Sequence, residues 1–144
     1  MTNNTRKSLE GLVAAEHRHL DALFGEILSD LRRGGEGAAA QDAFARLRDQ
    51  LEAHLAREDR LYYPALRALR PAHREPLAAV VAAHDVFRSQ LAEIESSLAT
   101  SAKDGALQGI ERLATLFATH EVAEEQMLQK IDQEIQAEGL PPAS

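Results

Sequence analysis

Two short stretches of the chain decide its fold, His54-Leu-Ala-Arg-Glu58 and His120-Glu-Val-Ala-Glu124. Each places a histidine and a glutamate four residues apart, so both side chains leave the same face of a helix. That face is otherwise apolar, and its apolar residues recur every three or four positions, as on a helix that turns one face toward a core. A carboxylate buried in a core without a partner costs on the order of several kcal/mol. A bound metal ion would give both pairs a common reason to lie there.

The apolar positions around these pairs predict long helices. Around the first pair they are Phe44, Leu47, Leu51, Leu61 and Ala65. Around the second pair they are Ile110, Leu113, Phe117, Met127 and Ile131. Similar stripes elsewhere predict a helix from about Lys7 to Arg33, one from Ala39 to Leu69, one beginning near Pro76, and one from beyond Gly105 to about Ala137. Pro64 is expected to kink the second helix, because proline lacks a backbone donor.

Long helices joined by short turns predict an all-α fold, an antiparallel up-down-up-down four-helix bundle. We expect a single domain over residues 1–144, with a core at about 7–137 and a loose C-terminal tail at 138–144. The alternative is a coiled-coil dimer of helical hairpins. The short connections and the similar width of the apolar stripes favour the bundle within one chain.

Composition restricts the class of protein. Apolar residues make up 44 % of the 144 residues, which is ordinary for a soluble globular domain. The net charge of −7 argues against nucleic acid or an anionic membrane as a partner. The chain has no cysteine, so a metal site would use imidazole and carboxylate. No apolar run reaches the roughly 20 residues of a membrane span, and Met1–Ser8 lacks a signal-peptide core, so a cytoplasmic location is expected.

Each predicted helix carries one histidine on its apolar stripe, namely His17, His54, His84 and His120. Counted from the centres of the turns, these histidines and the two glutamates lie within about one helical turn of the same height. We therefore predict that six side chains converge in the core: His17, His54, Glu58, His84, His120 and Glu124.

Several polar residues near these six fall off the stripes, and we expect them at the surface. They are Glu16, His19, Glu52, Asp59, His73, Glu121 and Glu125. Glu16 and His19 form one E-x-x-H sequence, the spacing used in ferritin-like di-iron bundles. That architecture needs two such sequences, and the single one here is expected to face outward.

The order of these residues resembles the hemerythrin-like (HHE cation-binding) family, bacterial single-domain type. The resemblance rests on the six residues and on the local sequences His17-Arg-His-Leu-Asp-Ala-Leu-Phe24 and Glu58-Asp-Arg-Leu-Tyr-Tyr-Pro64, and it covers about residues 9 to 131. It implies a non-haem di-iron site with two iron ions joined by an oxo or hydroxo bridge. The four histidines would be terminal ligands, and Glu58 and Glu124 would bridge the irons.

The chain departs from oxygen-carrying hemerythrins at two positions. Arg88 stands where those proteins have a second histidine on the third helix, and their fourth-helix acid is an aspartate at the position of Glu125. The apolar stripe favours Glu124 as the ligand. In the di-iron site that the resemblance implies, four histidines leave about two coordination positions open, one on each iron. Simple oxygen carriage is therefore in doubt.

Tyr62 lies one turn after Glu58 on the predicted inward face, where the family more often has an aliphatic residue. Its hydroxyl is interpreted as a packing contact with a polar partner, as a hydrogen-bond donor to the ligands, or as a phenolate ligand.

The resemblance and the ligands favour a di-iron protein that binds or senses a small oxidant: dioxygen, nitric oxide or peroxide. A redox enzyme at the same site, such as one that breaks down peroxide, is the alternative. A metal-free structural bundle that binds a protein partner is the third interpretation, which the acids on the apolar stripes disfavour.

Overall fold

The computed structural model describes residues 8–34, 38–69, 71–100 and 102–137, and nearly all of them are helical. The α-helices are α1 (Leu9–Arg32), α2 (Ala38–Arg57), α3 (Tyr63–Leu69), α4 (Arg74–Ala99) and α5 (Lys103–Ala137). A π-helical turn, Glu58–Tyr62, joins α2 to α3 into one continuous segment, and a 3-10 turn, Pro71–His73, leads into α4. The described residues contain no strand. The predicted all-α class with four long helical segments is confirmed.

The ends of the helices follow from local sequence. The Ser8 hydroxyl caps α1 by accepting a hydrogen bond from the Gly11 N–H at 3.0 Å. Gly34, with φ 82°, takes the left-handed conformation just beyond that helix. Helix α5 begins at Lys103, whereas the sequence predicted that it would begin only beyond Gly105. Residue 7 and the predicted tail at 138–144 lie outside the described residues, and the single domain over 1–144 stays a prediction.

The four segments close around one interior. Helix α1 contacts α2 and α5, and α4 contacts α5 and α2. Gly109 allows α4 and α5 to approach closely, because a Cβ at this position would lie 2.8 Å from Cγ1 of Ile94. None of the described helices has both the length and the apolar character that a membrane crossing requires.

Two clusters of buried apolar side chains fill the interior, with the predicted polar residues between them. Along α1, Val13 belongs to the smaller cluster, and Leu20 and Phe24 belong to the larger one. His17 lies between these positions and is buried. The polar centre is therefore sealed by apolar packing on both sides along the helix axes.

The π-helical turn changes the predicted inward face after Glu58. The Tyr63 N–H donates to the Glu58 carbonyl, five residues back, so the turn holds one residue more than a regular helix. The proline ring at position 64 would clash with the carbonyl four residues earlier, and the wider turn relieves that clash. The predictions that Leu61 and Ala65 point inward are wrong: Leu61 is 62 % exposed, and Ala65 is exposed as well. Tyr63 and Leu66 take the buried positions instead.

Candidate metal centre

The structure brings the six predicted ligands together in the interior. All of them are buried: His17, His54, Glu58, His84, His120 and Glu124. Their ligand atoms form two groups, and within each group the atoms lie within 4.8 Å of one another. One group is His17, His54, Glu58 and Glu124, and the other is Glu58, His84 and His120. Glu58 belongs to both groups, so it lies between two adjacent places for a cation.

Each of the two carboxylates faces one imidazole on its own segment and one on another segment. Glu58 Oε2 lies 3.1 Å from Nε2 of His54, and Glu58 Oε1 lies 3.2 Å from Nε2 of His84. Glu124 Oε1 lies 3.0 Å from Nε2 of His17 and 3.6 Å from Nε2 of His120. Each histidine thus turns the same ring nitrogen, Nε2, toward a carboxylate oxygen in the centre.

These central atoms are buried without hydrogen-bond partners. The unpartnered atoms include Nε2 of all four histidines, both oxygens of Glu58 and Oε1 of Glu124. Their separations are short, but their directions do not suit hydrogen bonds, and such groups are costly in a dry interior. A cation among them would satisfy every one of these atoms. Imidazole nitrogen and carboxylate oxygen are the donors that borderline divalent metals accept.

Three of the four imidazoles are held from behind by a carboxylate on Nδ1. Glu16 lies 2.5 Å from Nδ1 of His54, Asp59 lies 2.8 Å from Nδ1 of His84, and Glu125 lies 2.6 Å from Nδ1 of His17. Such contacts fix the tautomer that presents Nε2 to a metal and raise the basicity of the ring. The expectation that Glu16, Asp59 and Glu125 lie at the surface is therefore wrong, because all three are partly buried and contact a histidine of the centre. Each lies beside its own helix's inward stripe and reaches a histidine on the neighbouring segment.

Two of these carboxylates are in turn paired with arginines. The Arg57 guanidinium donates to Glu16 at 3.0 Å. The Arg88 guanidinium donates to Asp59 at 2.9 Å and to Glu52 at 3.2 Å. Arg88, at the position of the second third-helix histidine in oxygen carriers, therefore supports His84 through Asp59 rather than entering the centre.

Tyr63, and not Tyr62, reaches the ligands. The buried Tyr63 hydroxyl donates to Oε2 of Glu124. The Tyr62 hydroxyl lies 3.4 Å from Glu16 Oε2, so it touches the centre only through Glu16 and His54. The interpretation of Tyr62 as a phenolate ligand is wrong for this geometry. The difference follows from the extra residue in the π-helical turn, for which Pro64 was the available signal in the sequence.

Glu58 is kept ionised by the histidines on either side. Burial by itself would raise the pKa of Glu58, but the contacts with His54 and His84 outweigh it and hold the pKa well below its usual range. The pKa values of both histidines rise correspondingly, against the effect of burial. The shared carboxylate and the two rings therefore stabilise each other's charged forms.

Among the other three ligand residues, the pKa values of His17 and Glu124 are raised and that of His120 is lowered. Burial lowers the pKa of His17, but the carboxylates of Glu124 and Glu125 overcome this and raise it to about 9. Burial raises the pKa of Glu124, the contact with His17 opposes this, and the charge of Glu58 leaves the value at about 7. Burial and the charge of His84 lower the pKa of His120 to about 4. A bound cation would replace the protons on His17 and Glu124.

Glu121, predicted to be solvated, is 7 % exposed. Its Oε2 lies 3.9 Å from Nδ1 of His17 and has no hydrogen-bond partner. Burial and the neighbouring charge of Asp21 raise the pKa of Glu121 to about 8.

His19 is exposed as predicted, whereas His73 is partly buried beside Glu134, with Nε2 2.9 Å from Oε1.

A surface cavity of about 240 Å³ opens beside the centre. It lies between α1 and α2, and its lining includes Glu16, His19, Gln50, His54 and Arg57. The cavity reaches the outer side of the His54 ring, where Glu16 and Arg57 form its polar wall.

The family described as the hemerythrin HHE cation-binding domain matches residues 9–131. Neither a curated protein nor a solved structure gives a significant match. The matched region contains all six converging side chains and the tyrosine that contacts Glu124. The buried histidine and glutamate cluster, with its unpartnered nitrogen and oxygen atoms, is the donor set that a cation-binding domain requires. The chain belongs to the hemerythrin HHE cation-binding domain family.

Proposed function

We propose that this chain is a non-haem di-iron protein that binds or senses a small oxidant at the His/Glu centre. The observation that carries the proposal is the pair of adjacent ligand groups that share Glu58. A structural zinc site would use only about four ligands in one tetrahedron. Six buried donor residues in two overlapping groups fit two ions better than one.

Iron suits the chemistry of these donors. Four imidazoles and two carboxylates form a set without thiolate, which favours hard or borderline ions over soft ones. His17, His54, His84 and His120 would each bind through Nε2, and Glu58 would bind both ions. Bound iron would supply redox chemistry and open coordination positions for a small molecule. The protein would hold the imidazoles in place and keep bulk water away.

The proposed ligand is a diatomic molecule or peroxide. The donor atoms are sealed by apolar clusters along the helix axes, and the cavity beside His54 has a volume of only about 240 Å³. Arg88 replaces the fifth histidine of oxygen carriers and donates to Asp59 and Glu52 instead of entering the centre. This supports an open coordination position on the metal that the fifth histidine would otherwise bind. This combination favours dioxygen, nitric oxide or peroxide over a larger organic substrate.

The proposal includes the antiparallel up-down-up-down arrangement of the bundle. Two contacts support it for α1 and α5: Arg32 lies 3.0 Å from Glu111, and His17 lies 2.6 Å from Glu125. A later residue of α1 thus contacts an earlier residue of α5, as in two helices that run antiparallel. This order brings one histidine from each segment to a common height.

A redox enzyme is the second candidate, and one observation favours it. The Tyr63 hydroxyl is buried against Glu124, and burial together with the charges of Glu58 and Glu124 raises its pKa far above its usual range. Tyr63 therefore keeps its proton and is a hydrogen-bond donor inside the centre. A buried donor of this kind can steady a peroxide oxygen by a hydrogen bond during its breakdown.

Metal analysis and visible spectroscopy test the proposal together. Protein from iron-replete cells should contain about two irons per chain. His84→Ala should lose metal, while His73→Ala, outside both ligand groups, should retain it. A lasting spectral change with dioxygen or nitric oxide would favour binding, and catalytic loss of added peroxide would favour the enzyme. One tightly bound zinc, or no bound metal, would contradict the di-iron proposal.

A further inference from the structure

The two ligand groups of the centre are unequal. The His17/His54 group contains four residues, since both Glu58 and Glu124 belong to it. The His84/His120 group contains three, with Glu58 as its only carboxylate. Glu124 leans toward the first group: its Oε1 is 3.0 Å from His17 Nε2 but 3.6 Å from His120 Nε2. Its other oxygen accepts the Tyr63 hydroxyl.

The contacts behind the histidines are unequal in the same direction. In the four-residue group both imidazoles are held on Nδ1, His17 by Glu125 and His54 by Glu16. In the three-residue group Asp59 holds His84, but no described residue forms a hydrogen bond with the His120 ring. His120 is also the most exposed of the four histidines, at 8 % against 0–1 % for the others. Three aromatic rings contact the His120 ring, with centroid distances of 4.9 Å for Phe87, 5.4 Å for His84 and 6.0 Å for Phe117.

These differences affect metal affinity. Each coordinating residue contributes to binding, and the loss of an outer hydrogen-bond partner typically reduces metal affinity by about 10- to 100-fold. The three-residue group lacks one carboxylate and one such partner. The ring of His120 can also turn away from the centre without breaking a hydrogen bond, whereas the other three rings cannot.

We infer that the His17/His54 position is the tight metal site and that the His84/His120 position is a weaker, exchangeable site at which metal content varies. The inference rests on the proposed function in that both positions bind a divalent metal. It departs from the symmetric arrangement, with both glutamates as bridges, that the family resemblance implied. A chain with one metal bound would be a distinct and populated state at limiting metal.

Titration of the metal-free protein with Mn²⁺ tests the inference, with free Mn²⁺ counted by electron paramagnetic resonance. The wild type should bind one equivalent tightly and a second at least about tenfold more weakly. His120→Ala should lose the weaker equivalent and keep the tighter one with its affinity unchanged. His17→Ala should lose the tighter equivalent. His73→Ala, in the turn before α4 and outside both ligand groups, serves as the matched control with wild-type binding.

Two equivalents of equal affinity in the wild type would overturn the inference and leave the proposed function standing. Loss of the tight equivalent in His120→Ala, with the helical circular dichroism retained, would overturn it as well. Failure of the wild type to bind any divalent metal would reject the proposed function itself. The wild-type titration does not depend on the folding of any variant.

Discussion

Removal of the metal should make the stability of the protein depend on pH. In the metal-free structure His17 has a pKa of about 9, Glu121 about 8 and Glu124 about 7, each above its ordinary value. The folded chain therefore binds more protons than the unfolded chain, and the stability that these groups contribute is present at low pH and is lost as pH rises. The loss from Glu121 and Glu124 begins near pH 4.5, where unfolded carboxyl groups titrate, and is complete by about pH 8. The loss from His17 extends over a window from about pH 6.5, where unfolded histidine titrates, to pH 9.

The size of the effect follows from the pKa values. One pKa unit corresponds to about 1.4 kcal/mol, so His17 alone could change the free energy of unfolding by about 3 kcal/mol across this window. Glu124 shares its proton with His17, so their contributions do not add, and Glu121 is near the same group. We expect a total loss of about 3 kcal/mol between pH 6.5 and 9. For a chain of this size that lowers Tm by about 6–12 °C.

Thermal unfolding of chelated and iron-loaded protein at pH 6.5, 7.5 and 9 measures this loss. Loaded protein should show a much flatter dependence, since iron replaces the protons. Glu121→Gln should reduce the slope and stabilise the chelated protein at pH 9, whereas the exposed Glu93→Gln on α4 should leave the slope unchanged. A Tm of chelated protein that is constant or rises from pH 6.5 to 9 would refute the reasoning.

Three further predictions follow from single contacts. Arg88→Gln should weaken the second metal about tenfold in a chelator competition, because Asp59 loses the guanidinium that holds it against His84; unchanged affinity would show that Arg88 has no such role. Tyr63→Phe should lower the free energy of unfolding by about 1–2 kcal/mol in denaturant titrations, since a buried oxygen of Glu124 loses its donor; equal stability would contradict this. Gly109→Ala should lower the Tm measured by scanning calorimetry, at a cost of about 1–3 kcal/mol, because the new Cβ would lie 2.8 Å from Ile94. Gly25→Ala should raise the Tm, since the space around Gly25 is open. The opposite order would show that α4 and α5 are not closely packed at Gly109.

The helical periodicity of the sequence predicted the six central residues because a helix fixes the direction of each side chain. A histidine and a glutamate four positions apart must lie together, and an apolar stripe tells which way they face. Height along the bundle could be counted from the turns, since the rise per residue is constant. His17, from α1, and His84, from α4, were identified in this way without any pair motif of their own.

The outer residues were missed because their partners lie on other segments. Glu16 holds a histidine of α2, Asp59 holds one of α4, and Glu125 holds one of α1. A residue about 100° from the inward stripe faces the groove between two helices rather than open solvent. A pattern along one helix shows that such a residue is off the stripe, but it does not show which neighbour it meets.

The π-helical turn explains the remaining error and shows why the fold and the centre depend on each other. A regular helix after Glu58 would bring position 62 beneath the carboxylate and turn position 63 aside. The additional residue instead aims Tyr63 across the interior at Glu124 on α5, and it sends Leu61 outward. A π-helical turn satisfies the backbone less well than an α-helix, and such turns occur frequently at functional sites. Here the turn directs the hydrogen bond from Tyr63 to Glu124, which connects the segment that carries Glu58 to α5 at the level of the centre. The same turn therefore sets the direction of α3, orients one oxygen of Glu124, and makes the two ligand groups unequal.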